Sequence, residues 1–396
     1  MSAELKAPLV SIVITSYNYA KYIRDALESV DAQTYRPLEC IVVDDCSTDD
    51  SVEVITRTID ELRRKNDGIT YSLVSTEKNS GQLAAFQTGI ARAGGVFINF
   101  LDADDFLLPD FVSVHVQIHL ENCVAFTFSE PVEIDSKGQI HCFQSNTGDA
   151  YWRSQGARTP RPVTSFEKWR QNLGSCSAAE DFITSRKYVL DRYHLKWNAW
   201  HWYPTSSALF RKGAMAYFLK ADPAKWRICA DCLLFCYANI MGNSCFVPFQ
   251  LSAYRRHGEN GYGGDIIVGE YRYMTEKSRK IADEIYDDRL PLSLLQIMTF
   301  FRDTSPRFAV EFMKTIIYHT GPGFLLRNWN EVFSCLQVPH FGGRCVILLK
   351  TFIRNMQQKR KLKKYEQDFC VDQQLQLREV RWRGNRKCSR AGLSGF

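Results

Sequence analysis

The 396 residues carry a net charge of +6, with 45% apolar and 24% charged side chains, the balance of a chain that buries a core and not of a disordered one. That length exceeds what one hydrophobic core usually reaches, so two units are expected: a main domain over 1–265, in halves 1–112 and 113–265, and a mainly helical region with a basic tail over 266–396. The basic excess gathers after Lys350 without a nucleic-acid-binding module around it, so nucleic acid is not an expected partner, and the runs 358–364 and 378–390 read as a solvated arm or a peripheral contact for anionic membrane lipid.

In chain order, Leu9–Thr15, Leu38–Val43, Thr70–Val74 and Val96–Leu101 are short apolar runs rich in β-branched residues. They alternate with segments of helical period at Ala20–Val30, Ser51–Lys65 and Gln82–Ala93, the pattern of an α/β unit with a mostly parallel sheet. Asp49 or Asp50 is expected to cap the second helix and Ser80 the third. A helix to about Asn122 and a strand at Val124–Phe128 follow, then a polar stretch to about Gly174 that reads as an insertion. Structure is expected again at Thr205–Phe218 and Ile228–Ile240, and helices from about Leu290. No apolar run reaches the roughly 18 residues that cross a bilayer, and residues 1–8 lack a signal-like stretch, so a cytoplasmic protein with reduced thiols is expected for the 13 cysteines.

In open α/β sheets ligands sit beyond the carboxyl ends of the strands. Here those ends read Thr15-Ser16-Tyr17-Asn18, Asp44-Asp45-Cys46-Ser47-Thr48-Asp49 and Asp102-Ala103-Asp104-Asp105. Like charges so close oppose one another's ionisation unless a cation balances them, and Mg²⁺ or Mn²⁺ held by one or two carboxylates leaves positions for diphosphate oxygens. The bland alternative is a solvated turn whose Asp caps the helix after Pro109. Asp44 or Asp45 has the acceptor-only character that can read a base N–H.

These three motifs, in this order, resemble the family 2 glycosyltransferases. Asn79-Ser80-Gly81-Gln82, with Ala85 and Gly89-Ile90-Ala91, is similar to the family's approach to its acidic strand end. The resemblance covers about 8–112 strongly and 205–262 more weakly. It implies a GT-A nucleotide-sugar-binding fold, inversion at the anomeric carbon, a nucleotide-binding half over 1–112 and an acceptor-side half with an insertion over 113–265. Asp102-Ala103-Asp104 matches the family's DxD motif. Asp104 is then a metal ligand, Asp102 touches the metal or the ribose, and Thr15, Tyr17, Asn18, Asp44, Asp45, Gly81, Gln82 and Ala103 line the nucleotide sugar. Cys46 stands where the family usually has Gly.

Inverting transfer needs a base for the acceptor hydroxyl. Asp231, within Cys229-Ala230-Asp231-Cys232, resembles the family's Glu-Asp at a helix start and is the candidate, against a first-turn Asp that serves only the helix dipole. Cys229, Cys232 and Cys236 recur on one helical face and read as core, since no further pair completes a zinc set. Tyr254-Arg255-Arg256-His257 is similar to a Tyr-Arg-x-His element of the family, so His257 is a candidate metal ligand and Arg255 a candidate phosphate contact. Trp197, Trp200, Trp202 and Tyr203 precede Thr205-Ser206-Ser207, which resembles the acceptor-side strand; Trp202 and Ser206 are the acceptor candidates. The expected activity is transfer of a sugar from a nucleotide diphosphate donor, a UDP-sugar by preference, to a saccharide or lipid-linked acceptor in cell-surface polysaccharide synthesis. A nucleotidyltransferase would want a glycine-rich basic loop that 15–19 lacks, and a non-catalytic scaffold would not need Asp102, Asp104 and Asp231.

Overall fold

The computed structural model describes residues 6–65, 68–142, 202–257, 283–302 and 304–337, the short pieces 189–190, 266–268 and 271–273, and positions 280, 347 and 350. Of the insertion expected between Phe128 and Gly174, residues 129–142 are described: they carry the expected strand on to Ile134 and add a short one at Ile140–Cys142. The rest of that stretch, Trp197, Trp200 and the two basic runs lie outside the described residues. The chain divides into two compact units, Met1–Met313 and Lys314–Phe396.

The first unit opens with β1 (Val10–Ser16), α1 (Ile23–Asp31), β2 (Leu38–Asp44), α2 (Ser51–Arg63), β3 (Ile69–Ser75), α3 (Gln82–Arg92) and β4 (Phe97–Asp102). The four strands lie within one residue of their expected ends. α1 begins at Ile23 because Tyr19–Tyr22 close a turn first, the Tyr22 and Ile23 amides both donating to the Tyr19 carbonyl. β1 and β4 are buried along almost their whole length, as strands covered on both faces must be. α1 turns Ile23, Ala26, Leu27 and Val30 onto the sheet at helical spacing. Gly89 on α3 meets β1 so closely that a Cβ there would stand 2.3 Å from Val13 Cγ1, which is why the helix tolerates a glycine.

Next come β5 (Phe106–Leu107), α4 (Phe111–Glu121), β6 (Phe126–Ile134), β7 (Ile140–Cys142), β8 (Val189–Leu190), β9 (Ala208–Arg211), α5 (Ala230–Gly242) and β10 (Ser244–Arg255). Among the described residues these form one sheet of order β3-β2-β1-β4-β9-β6-β10-β5, with β7 beside β6 and β8 beside β10. β3, β2, β1 and β4 run parallel, β9 is antiparallel to both neighbours, and β10 returns parallel to β6. The chain is the expected α/β class with a mostly parallel central sheet. The Thr205–Phe218 segment holds only the four residues of β9 as strand, flanked by 3₁₀ turns. Separately, β11 (Ile266–Val268) pairs antiparallel with β12 (Tyr271–Tyr273). A π-helical turn at Ile285–Arg289, α6 (Leu290–Thr299) and the start of α7 (Pro306–Arg327) follow.

In the second unit the remainder of α7 and α8 (Trp329–Leu336) bury Ile316, Ile317, Phe324, Leu325, Val332 and Phe333, in keeping with the helical C-terminal region expected. No described helix is long and apolar enough to cross a membrane.

Candidate functional site

The strand order reverses between β1 and β4, which places the crevice for a ligand beyond their carboxyl ends. Register sets Thr15 beside Asp102 and Ser16 beside Asp44, so the acids that close β2 and β4 flank the same strand end. Thr15 Oγ1 donates to Asp102 Oδ1 at 3.5 Å, and the Asp105 amide closes the Asp102–Asp105 turn onto the Asp102 carbonyl.

Ser206 Oγ, 1% exposed, clamps that turn from β9's side. It accepts from the Asp102 amide at 3.1 Å and donates to Asp105 Oδ2 at 2.6 Å. Its hydroxyl is thus engaged inside the protein, and the structure gives Ser206 an anchoring place instead of the acceptor contact expected of it. Asp105, fully buried, also accepts from the Arg255 amide at 2.9 Å. The Arg255 guanidinium is buried too; it donates to the Asp104 carbonyl at 2.8 Å and pairs with Asp25 at 2.7 Å, over the Tyr22 ring. Arg255 therefore braces the acidic turn from behind, and the expected phosphate contact is corrected: its charge is directed at Asp25.

Asp104 Oδ2 stands 2.9 Å from His257 Nε2. The imidazole is stacked on Tyr22, ring centroids 4.8 Å apart, with the edge of Tyr19 at 6.0 Å. Burial raises the Asp102 carboxyl well above the usual range, and the charges of Asp104 and then Asp231 push it further. Asp105 is raised by burial and by Asp104 and Asp102. Burial raises the Tyr19 phenol as well, and Asp104, Asp102 and Asp105 add to it. The charges of Asp104 and of Asp231, which come from two distant segments of the chain, thus both reach the Asp102 carboxyl.

Asp231 lies half-buried in the first turn of α5. Burial lifts its carboxyl to about 6, held from going higher by its own amide and that of Cys232. Cys229 precedes the helix in the left-handed region at φ 58°, and burial pushes its thiol up to about 12, so it is no ready nucleophile. Cys232 and Cys236 are buried, as expected of core thiols.

The loops after β1 and β2 zip together. Asn18, at φ 61°, accepts from the Thr48 amide at 2.7 Å and donates its own amide to Ser47 Oγ, while Ser47 donates to Asp44. Asp45 accepts from the amides of Ser80 and Gly81 and from Thr76 Oγ1. Ser80 is not the cap of α3: Gly81 holds that position at φ 91°, and a Cβ there would collide with Arg227 Cα at 2.5 Å. Asp49 does accept from the Ser51 amide at the start of α2. Ala103 is buried, its amide donating to Thr15, whereas the Tyr17 ring is 42% exposed.

Two further candidates take other places. Trp202, 3% exposed, is packed between Phe126 and Phe235 and donates Nε1 to Ser244 Oγ, so the ring is core and has no face for a sugar. Gln82 turns its side-chain oxygen to the Ala230 amide at 2.8 Å, tying α3 to the start of α5. Tyr22 and Asp25, which set Arg255 and His257, carried no sequence signal: they lie at the end of the turn before α1 and in its first turn, and their partners are some 230 residues away.

Among the described residues no group of three or more His, Cys, Asp or Glu side chains is arranged to hold a metal by itself. Asp104 and His257 do present an oxygen and a nitrogen side by side, with the raised Asp102 carboxyl nearby. That set suits Mn²⁺ or Mg²⁺, which keep open positions for water or phosphate, and a divalent charge would relieve the mutual opposition of these acids.

Residues 11–183 match the profile of Glycosyl transferase family 2. The chain is 31% identical over 254 residues to an uncharacterized glycosyltransferase of Nostoc sp., covering 64% of this chain and 66% of that one. It is 36% identical over 124 residues, 31% of this chain and 46% of the relative, to TuaG of Bacillus subtilis, named for teichuronic acid biosynthesis. The chain thus spans about two thirds of the first relative's length and about half of the second's. A solved structure of S. aureus TarS 1–349 in complex with UDP-GlcNAc aligns at 15% identity with a TM-score of 0.44, over 89% of this chain and 92% of that one. With the acidic strand ends in their order and the profile match across them, the chain belongs to glycosyltransferase family 2.

Proposed function

We propose that the protein is an inverting glycosyltransferase that moves a sugar, in the manner of a hexosyltransferase, from a nucleotide diphosphate donor to a saccharide or lipid-linked acceptor. The observation that carries this reading is the place of Asp102, a carboxyl at the end of β4 that burial raises and on which the charges of both Asp104 and Asp231, from two distant segments, converge. Such an arrangement suits one cation, one diphosphate and one base. Asp104 and His257 would hold Mg²⁺ or Mn²⁺, with Asp102 on the metal or the ribose; the ion would neutralise the charge on the departing diphosphate.

The remaining work falls to the chain itself. Asp231 takes the proton of the acceptor hydroxyl as its oxygen bonds to the anomeric carbon and the bond from that carbon to the diphosphate breaks on the opposite face. A carboxylate lifted to about 6 is a stronger base than an ordinary one, yet stays mostly ionised at pH 7. Thr15, Tyr17, Asn18, Asp44, Asp45, Gly81 and Ala103 form the nucleotide side of the crevice; a carboxylate of the Asp44–Asp45 pair suits a uracil N–H, which favours a UDP-sugar.

All these residues lie within 1–265, which we take as the catalytic region. The name of the Bacillus subtilis relative supports a place in cell-surface polysaccharide assembly. Cytoplasmic action with peripheral membrane contact through the basic C-terminal region is part of the same proposal. The test is a panel of UDP-, GDP- and other nucleotide sugars, each assayed for Mn²⁺-dependent binding and slow hydrolysis. Metal-dependent binding of one donor is expected, and no nucleotide diphosphate binding with Mn²⁺ present would overturn the reading.

A further inference from the structure

The starts of α3 and α5 meet directly, and each satisfies the other's unpaired amides. The first amides of α3 find carbonyls from the segment just before α5: Gln82 N–H donates to Arg227 at 2.9 Å and Leu83 N–H to Trp226 at 3.2 Å. In return, the first amide of α5, that of Ala230, donates to the Gln82 side-chain oxygen at 2.8 Å. Arg227 reinforces the junction with bonds to the Asn79 carbonyl and to Asn79 Oδ1, at 3.1 and 2.6 Å. The other side of the same loop is held by Asp45 through the amides of Ser80 and Gly81. Gly81 permits the contact, because any side chain there would strike the Arg227 backbone.

A continuous run of bonds therefore leads from Asp45, on the nucleotide side, through Gly81 and Gln82 to Ala230, whose neighbour is Asp231. Helix starts ordinarily leave their first amides to a local cap. Here α5 has no side-chain cap from its own Cys229, which sits in the left-handed region. The cap comes instead from a residue 148 positions earlier.

We infer that Gln82 is a positioning residue for Asp231: its amide oxygen sets the start of α5 in register with the loop that lines the donor. The inference rests on the proposed role of Asp231 as base. Proton transfer demands hydrogen-bond reach, and a displacement of about 1 Å can cost a hundredfold in rate. Loss of the Gln82 acceptor should therefore lower turnover and leave donor affinity alone, whereas a Gln82 that touched the donor would do the reverse.

The experiment compares Gln82→Met, which keeps length without the acceptor, and Gln82→Glu, which restores an oxygen, at pH 8. Two quantities are read: kinetics with the donor found in the panel, and hydrogen exchange of the Ala230 amide. Gln82→Met should lower kcat about 10- to 100-fold, with donor KM and the affinity for UDP with Mn²⁺ within about threefold of wild type. Its Ala230 amide should exchange at least about tenfold faster, and Gln82→Glu should recover both properties. Unchanged exchange in Gln82→Met, or lost donor affinity with kcat intact, would overturn the inference. A wild-type protein that turns over no donor would fail the proposed function instead, and exchange at Ala230 would still decide whether the junction exists.

Discussion

His257 Nε2 and Asp104 Oδ2 stand 2.9 Å apart although 153 positions separate them in the chain. β10 runs antiparallel to β5, just past the acidic turn, and delivers His257 two residues after its own end. The rings of Tyr22 and Tyr19 hold the imidazole, and the Arg255 guanidinium braces the Asp104 backbone. Both side chains are thereby held in one geometry, and under the proposed function ligands so fixed would lose less on binding a cation than mobile ones do.

Asp104→Ala is expected to abolish Mn²⁺-dependent binding of a nucleoside diphosphate, read by titration calorimetry. His257→Ala should weaken it by about 10- to 100-fold, as expected for loss of a ligand or of the group that orients one. Retained metal-dependent binding in Asp104→Ala would remove Asp104 from the site.

Asp231→Asn should lower kcat by about 10²- to 10⁴-fold while donor binding persists. The sign of the pH dependence follows from its carboxyl, raised to about 6: the base is lost to protonation as pH falls, so kcat/KM should rise with pH across an acidic limb centred near 6. A profile flat from pH 5 to 7, or a fully active Asp231→Asn protein, would exclude Asp231 as the base.

Two histidines unrelated to the chemistry should make the fold sensitive to acid. His115 bonds Thr127 and His119 bonds the Leu209 carbonyl, both fully buried on α4. Burial lowers both, His119 to about 3. The unfolded chain then binds protons that the folded one refuses, so stability is present above about pH 6.5 and falls as pH drops below it, by about 1.4 kcal/mol per pH unit for each ring. Asp102, Asp105 and Asp231, raised in the fold, act with the opposite sign, since the folded chain holds their protons more tightly and loses stability as pH rises. The histidine contribution is isolated by comparing His119→Gln with wild type: denaturation between pH 5 and 7 should show a shallower loss toward acid in the variant. Parallel curves would show that His119 does not govern it.

Trp202→Ala should destabilise the protein by about 3–5 kcal/mol, the usual cost of truncating a large core ring, read by urea unfolding. Trp202→Phe should leave the acceptor KM unchanged. A raised acceptor KM in that variant with unaltered stability would return Trp202 to the acceptor side.

Order and spacing along the chain carried the central sheet and its acids. Alternating apolar runs and helical periods located β1 to β4 within a residue, because buried strands such as β1, β2 and β4 must be largely apolar, the edge strand β3 still carries a β-rich run, and the helices between them must show a face. The acidic ends of β2 and β4 were legible for the same reason: charged residues directly after a buried strand have few places to be. What lay between distant segments was not. Trp202 and Ser206 carry the same letters whether they face a sugar or a core, and only the placing of α5 and of the segment before β9 decided that Trp202 meets Phe235 and that Ser206 holds the acidic turn. Arg255 looked like a phosphate ligand until the position of α1 supplied Asp25. Gln82 looked like a donor contact until α5 brought an uncapped amide to it. Local propensity and burial pattern belong to neighbours in sequence, whereas the choice of hydrogen-bond partner depends on which surfaces the sheet brings within about 3 Å, and that is decided by the tertiary fold.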